Sequence, residues 1–427
     1  MLGLLRRFAL DLTPVRRARH FRLLLIGEVI SQLGTQAALV ALPYQIYTVS
    51  HSAALVGLLG VFELVPMIAV SLVGGAFLDR HDRRPILILA QLGLIGFLGA
   101  LVALTLLFHH PPVLAVLALG GLIAGCGSLD QVARNAITPA LLGPELLRAG
   151  LALAYALQQA ASIIGPGLGG LAIGAVGVSG VYIADAVSCV AVLLAACALP
   201  AQPPALGSAA EEHPPVRTAI ADGLSFVRRT RALAASFLID INAMTFGMPR
   251  ALFAVLSLTV YHAGASGTGA LYAAIAVGGT VSVLTSAWVG HIRRVGWMVI
   301  ICVLVWGLTI LGAGVVRSLW PAAVLLAAAG WADGISAVGR QTIAQTLTPE
   351  HMRGRMSAIY SVVVAGGPRL GDLESGLVAG AVGALNSVLV GGAACVLGVG
   401  AVMLVYPELA GYDADAAMTV VAESSTA

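Results

Sequence analysis

The sequence predicts an all-α integral membrane protein of twelve transmembrane helices, arranged as two pseudo-symmetric six-helix bundles. Three observations predict it. Of 427 residues, 59% are hydrophobic and only 10% charged, and the mean hydropathy is +0.96, a composition suited to lipid rather than water as solvent. Apolar runs near the roughly 20 residues that cross the hydrocarbon recur along the whole chain. The second half also repeats features of the first.

The runs place spans at 20–48, 52–78, 85–107, 112–138, 148–176 and 179–199, then at 232–261, 267–290, 297–316, 319–345, 354–382 and 385–407. Helices are required because a lipid-embedded backbone must satisfy its own hydrogen bonds, and the runs are too long and continuous for barrel strands. Residues 1–199 form the first bundle, 200–231 a cytoplasmic linker, 232–407 the second bundle and 408–427 a cytoplasmic tail. Within the linker, Val216 to Arg231 alternates apolar and basic residues, as in an amphipathic helix on the membrane surface.

Arginine sets the orientation. The chain has 23 basic residues, and none is Lys. Outside the spans, all but Arg317 fall on the amino-terminal segment or on the alternate loops that follow spans 2, 4, 6, 8 and 10. Short loops rich in Arg stay in the cytoplasm, so both termini are expected there. Residues 1–19 lack the apolar core and small-residue cleavage site of a removable signal peptide.

The halves echo each other. Pro144, Glu145 and Arg148 return as Pro349, Glu350 and Arg353; Arg134 and Asn135 correspond to Arg340 and Gln341; and an offset of 212 residues brings Glu28 of span 1 onto Asp240 of span 7. Parallel six-span repeats around a midplane site are one route to alternating access.

Several chemistries are excluded or disfavoured. A G-x-x-x-x-G-K-[ST] loop is impossible without Lys, so this chain does not draw on ATP through one, and neither H-E-x-x-H nor G-x-S-x-G occurs. The cysteines (Cys126, Cys189, Cys197, Cys302, Cys395) lack C-x-x-C spacing, and the histidines lack the helical spacing of a metal site. No cofactor, metal or nucleic acid is expected.

Charges inside the membrane cost about 2.5–3.5 kcal/mol near its centre on insertion scales, which makes each a functional candidate. Eight acids qualify: Glu28, Glu63, Asp130, Asp185, Asp240, Asp333, Asp372 and Glu374. Glu28, Gln32 and Gln36 form an i, i+4, i+8 polar stripe on span 1, flanked by Ser31 and Thr35 and expected to face a central cavity. In span 10, Asp333, Ser336 and Arg340 share one face. In span 4, Asp130 and Arg134 are spaced to neutralise each other, and a structural role is expected for them. Arg369 precedes Asp372 by three residues in span 11, as a possible pair, and Arg250 adds a further cation. The coupling candidates are Glu28, Asp240, Asp333 and Asp372.

Three motifs carry a resemblance. Gly75, Asp79, Arg80, Arg83 and Arg84 resemble the G-x-L-x-D-R-x-G-R-R loop between spans 2 and 3 of the major facilitator superfamily, with Phe77 and Asp82 as departures. Gly165, Pro166, Gly169 and Gly170 resemble its G-P-x-x-G-G antiporter motif, and Asp185, Ala186 and Ser188 are similar to a D-A-x-S pattern of twelve-span siderophore and macrolide exporters. The resemblance implies the major facilitator fold and a monomeric, proton-driven exporter in a bacterial cytoplasmic (inner) membrane. It also implies that the loop arginines meet carboxylates as a cytoplasmic latch. A siderophore comes first as substrate and a lipophilic drug second. A non-transporting receptor or scaffold and a polytopic membrane enzyme are the competing classes. A fluorescent protein fused after Ala427 is expected to light up, and a phosphatase that works only outside the cytoplasm to stay silent there; the reverse pattern would invert the topology.

Overall fold

The computed structural model describes residues 11–78, 81–203, 216–349 and 352–413, and its elements are helical. Span 1 is Arg19–Ser50, span 2 Ala53–Leu78 and span 3 Arg83–Leu107. Spans 4 to 6 run as one helical stretch, Val113–Ala198, broken at Gly143 and Gly177, where φ is 65° and 75°. These breaks divide it into segments 113–142, 144–176 and 178–198. A linker helix, Val216–Arg229, follows; it turns Val227 inward and Arg228 and Arg229 outward. Beyond it come span 7 from Arg231, span 8 from Gly264, span 9 (Val295–Val315), span 10 (Leu319–Leu347), span 11 (Arg353–Val382) and span 12 (Ala384–Val405).

Among the described residues, nine helices are long and apolar enough to cross a membrane. The two breaks in Val113–Ala198 add two crossings. Span 11, 30 residues long, falls outside that set; its described stretch carries Arg369, Asp372 and Glu374 close together. The twelve segments anticipated from hydropathy are thus present, most with ends shifted by a few residues and with spans 4 and 5 reaching toward Gly143.

Span 7 departs from expectation. Its helix stops at Phe246, and a 3-10 turn over Arg250–Leu252 intervenes before helix resumes at Phe253–Thr259. Pro249 is the cause: it cannot donate to the helix ladder, and it pushes Met248 out of helical geometry. The Tyr272 hydroxyl donates to the Arg250 carbonyl at 3.2 Å, holding the turn.

The chain divides into two compact units, Met1–Gln45 with Phe62–Glu212, and Ile46–Val61 with His213–Ala427. In the first, Leu24, Leu87, Ala133, Ile137, Val192 and Ala196 form a core from spans 1, 3, 4 and 6. In the second, Trp306, Ile310, Ala329 and Ile335 are fully buried. Large leucines face outward in both, Leu194 at 65% and Leu404 at 85% exposure, as befits a surface whose solvent is lipid.

The backbone carries the repeat more widely than the side chains do. Gly177, between spans 5 and 6, and Gly383, between spans 11 and 12, are both left-handed, with φ of 75° and 89°, and lie 206 residues apart, as Arg134 and Arg340 do. His51 and His262, after spans 1 and 7, are also left-handed, with φ of 51° and 50°. A β-carbon in that region costs about 1–2 kcal/mol. Gly383→Ala is therefore expected to lower the thermal midpoint, whereas Gly400→Ala, within a helix and with open space around it, should hold or raise it. Equal effects would remove the turn argument.

Candidate functional site

Span 1 is the hub of the first unit because its small and polar residues face three neighbours. Toward span 4, Glu28 Oε1 lies 2.9 Å from Arg134 Nη1. On the same guanidinium, Arg134 Nη2 lies 2.6 Å from Asp130 Oδ2. Gln91 of span 3 donates to Asp130 Oδ1 at 2.6 Å, so one arginine straddles two carboxylates. Asp130 and Arg134 do neutralise each other, as their spacing suggests, but Glu28 joins them; the pair is part of a larger set.

Toward span 5, Gln36 and Ala37 pack on the glycine motif. A β-carbon on Gly169 would lie 2.7 Å from the Ala37 Cα, and one on Gly165 would strike the Gln36 side chain. Pro166 and Gly170 are buried beside them. Toward span 6, a β-carbon on Gly34 would lie 2.7 Å from Asp185 Oδ1. Small residues here let backbones approach until polar groups meet. Gln32 is half-buried.

The second unit repeats this plan around span 7. Arg340 Nη2 lies 3.0 Å from Asp240 Oδ1 and 3.2 Å from Asp333 Oδ1, and Arg340 Nη1 donates to Ser336 Oγ at 2.7 Å. The Asp240 approach is an ion contact rather than an aligned hydrogen bond. Glu28 with Arg134 and Asp240 with Arg340 are therefore the same pairing in both repeats. Gly371, 206 residues after Gly165, packs against the Met244 carbonyl of span 7.

A further pair lies in the second unit. Asp372 pairs with Arg250, not with Arg369 as spacing along span 11 suggested. The 3-10 turn after Pro249 brings Arg250 to Asp372, while Arg369 Nη1 reaches back to the Ala365 carbonyl at 3.4 Å.

Of the loop motif, the described Arg83 and Arg84 meet backbone carbonyls rather than the expected carboxylates. Arg83 Nη1 donates to the Ala136 carbonyl at 3.2 Å, and Arg84 donates to the carbonyls of Ala196 and Cys197 at 3.1 and 2.6 Å. These are backbone partners: Cys197 lies in the last turn of span 6, where helix carbonyls attract cations, Ala196 also accepts from the Leu199 N–H at 3.2 Å, and Ala136 lies within span 4. Asp82, the departure from the motif's glycine, caps span 3 by accepting from the Arg84 N–H at 2.9 Å and also accepts from the Gln202 N–H at 3.0 Å. Gly75 lies in the span 2 helix; Asp79 and Arg80 lie outside the described residues.

Two polar residues escaped the sequence reading of the site. Gln91 is a buried amide in an otherwise apolar face of span 3. Asp185 was noted as an intramembrane acid and as part of the D-A-x-S motif but not counted among the site residues, although Tyr182, Asp185 and Ser188 recur at i, i+3, i+6 on the face that meets span 1.

Removing one member of a buried ion set costs about 3–5 kcal/mol because the rest is left uncompensated. Arg340→Met is expected to destabilise the purified protein by that order. Asp333→Asn should cost much less, since the Asp333 side chain is 35% exposed and Arg340 keeps Asp240 as a partner. Equal losses would mean that Arg340 is not the centre of the set.

Comparison with known proteins places this arrangement. The family described as "Transmembrane secretion effector" matches residues 10–423. The enterobactin exporter EntS of Citrobacter koseri is 32% identical over 371 residues, covering 85% of this chain and 86% of that protein; EntS of Salmonella typhimurium is 31% identical with the same coverage. Among solved structures, the nucleoside transporter NupG (D323A mutant) aligns with a TM-score of 0.75 at 13% identity, over 90% of this chain and 99% of that one. A bacterial homologue of the iron transporter ferroportin, in its inward-facing state, aligns with a TM-score of 0.65 at 16% identity, over 91% and 98%. These two share the fold. The chain belongs to the transmembrane secretion effector family of the major facilitator superfamily and is a multi-pass membrane transporter rather than an enzyme.

Proposed function

We propose that the protein is a proton-coupled exporter of a siderophore or similar amphipathic small molecule, working by alternating access as a monomer in the cytoplasmic membrane with both termini inside. The observation that carries the coupling is the guanidinium straddled by two carboxylates in each half, Arg134 with Glu28 and Asp130, and Arg340 with Asp240 and Asp333. One cation cannot neutralise two carboxylates, so each set holds one surplus negative charge when fully ionised. In this reading a proton on the set cancels that surplus, and the set changes its pairing when the proton leaves. The direction of transport is supported by the relatives named as exporters of enterobactin and by the glycine motif against Gln36 and Ala37.

Arg250 bound to Asp372 suits an acidic or catecholate substrate. Its planar guanidinium is the cation that would meet such an anion through charge-assisted hydrogen bonds. Arg340 is too enclosed by its two carboxylates for that role.

Enterobactin accumulation in inverted vesicles, with and without an uncoupler, tests transport and its drive together. The wild type should accumulate it under an imposed pH gradient and lose the accumulation with the uncoupler. Among Glu28→Gln, Asp240→Asn, Asp333→Asn and Asp372→Asn, at least one should abolish gradient-driven accumulation. Full retention by all four would remove these residues as coupling sites.

A further inference from the structure

The first unit buries one carboxylate that the ion sets do not use. Asp185 of span 6 is 2% exposed and, among the described residues, has no arginine or histidine partner. Its Oδ1 accepts from Ser188 Oγ at 3.3 Å and from Thr35 Oγ1 at 3.4 Å. Both are long for hydroxyl donors, whose bonds usually fall near 2.5–3.0 Å. A buried ionised carboxylate supplied only by two distant hydroxyls is among the costliest groups a protein can carry. Protonation removes the charge without moving the backbone.

Packing alone does not call for an acid here. In the other half, spans 7 and 12 cross with Asn242 against Gly398, where a β-carbon would lie 2.9 Å from Asn242 Nδ2. Asn242 Nδ2 donates to the Cys395 carbonyl at 2.9 Å. A neutral amide fills the polar place at that crossing, whereas the first half uses a carboxyl at its own crossing of spans 1 and 6.

The surroundings of Asp185 link it to the ion set of the same half. Span 1 faces it with Ser31, Gly34 and Thr35, and its own helix supplies Tyr182, Ser188 and Cys189. The Ser31 hydroxyl and Cys189 thiol lie 3.8 Å apart. Glu28, which pairs with Arg134, stands on the same helix as Ser31, Gly34 and Thr35. Because Gly34 lets the span 1 backbone touch Asp185, any shift of span 1 changes the surroundings of Glu28 and Asp185 together.

We infer that Asp185 is a second proton-carrying site of the first half, holding its proton on the carboxyl and exchanging it separately from the Arg134 set. This inference rests on the proton-coupled reading for its role in transport, but the presence of the proton can be tested independently. Infrared spectra of the full-length protein in lipid, at neutral pH, should contain a protonated-carboxyl C=O band. Asp185→Asn should lose that band, Asp185→Glu should keep it at a shifted frequency, and Glu28→Gln should leave the Asp185 band in place. In vesicles, Asp185→Asn should also move fewer protons per enterobactin than the wild type. A spectrum that Asp185→Asn leaves unchanged would overturn the inference, as would loss of the band in Asp185→Glu. If the band vanishes in Asp185→Asn while the wild type moves no protons, the proton site stands and the coupled-export reading falls.

Discussion

An arginine held between two carboxylates, once in each half, is the interaction on which the other features of the site depend. Charge in lipid is costly, and a chain that places eight acids within its spans has to answer for each of them. Arg134 and Arg340 answer for two apiece. Each draws one carboxylate from its own helix, Asp130 or Asp333, and one from the first span of its half, Glu28 or Asp240. The intrahelical partner sits four residues before the arginine in one half and seven in the other, so the repeat preserves the interhelical contact more faithfully than the intrahelical one.

That contact makes spans 1 and 7 the organising helices. Each carries polar groups toward its arginine and meets glycines elsewhere: Gly165 and Gly169 against span 1, Gly371 and Gly391 against span 7. Close backbone contact couples the placement of neighbouring groups, because a helix packed without side chains between cannot slide far before polar atoms lose their partners. Span 7 adds a break at Gly247 to Pro249, and the break delivers Arg250 to Asp372. A continuous rod would carry Arg250 onward along the helix axis.

Much of this was legible in the sequence. The twelve spans followed from hydropathy, and the match of Glu28 with Asp240 and of Arg134 with Arg340 followed from two offsets. That each pair is also a contact needed the third dimension. Pairing is decided by rotation about the helix axis, which a single sequence does not reveal; the three-residue spacing of Arg369 and Asp372 suggested a pair that the turn after Pro249 supersedes. The expected carboxylate partners of Arg83 and Arg84 are replaced by carbonyls because backbone carbonyls of spans 4 and 6 lie within their reach. Asp185 was visible as a residue, but that no described arginine or histidine pairs with it was not, since only the packing of Gly34 and Thr35 against it shows what surrounds the carboxyl.

The central claim is that the interhelical pair is an energetic link in both halves. A double-mutant cycle on thermal stability, with Glu28→Gln and Arg134→Gln singly and together and the parallel set at Asp240 and Arg340, measures that link directly. Double-variant losses well short of the sum of the single losses, with coupling energies of the same sign in both halves, are the expected result. Additive losses in either half would contradict it.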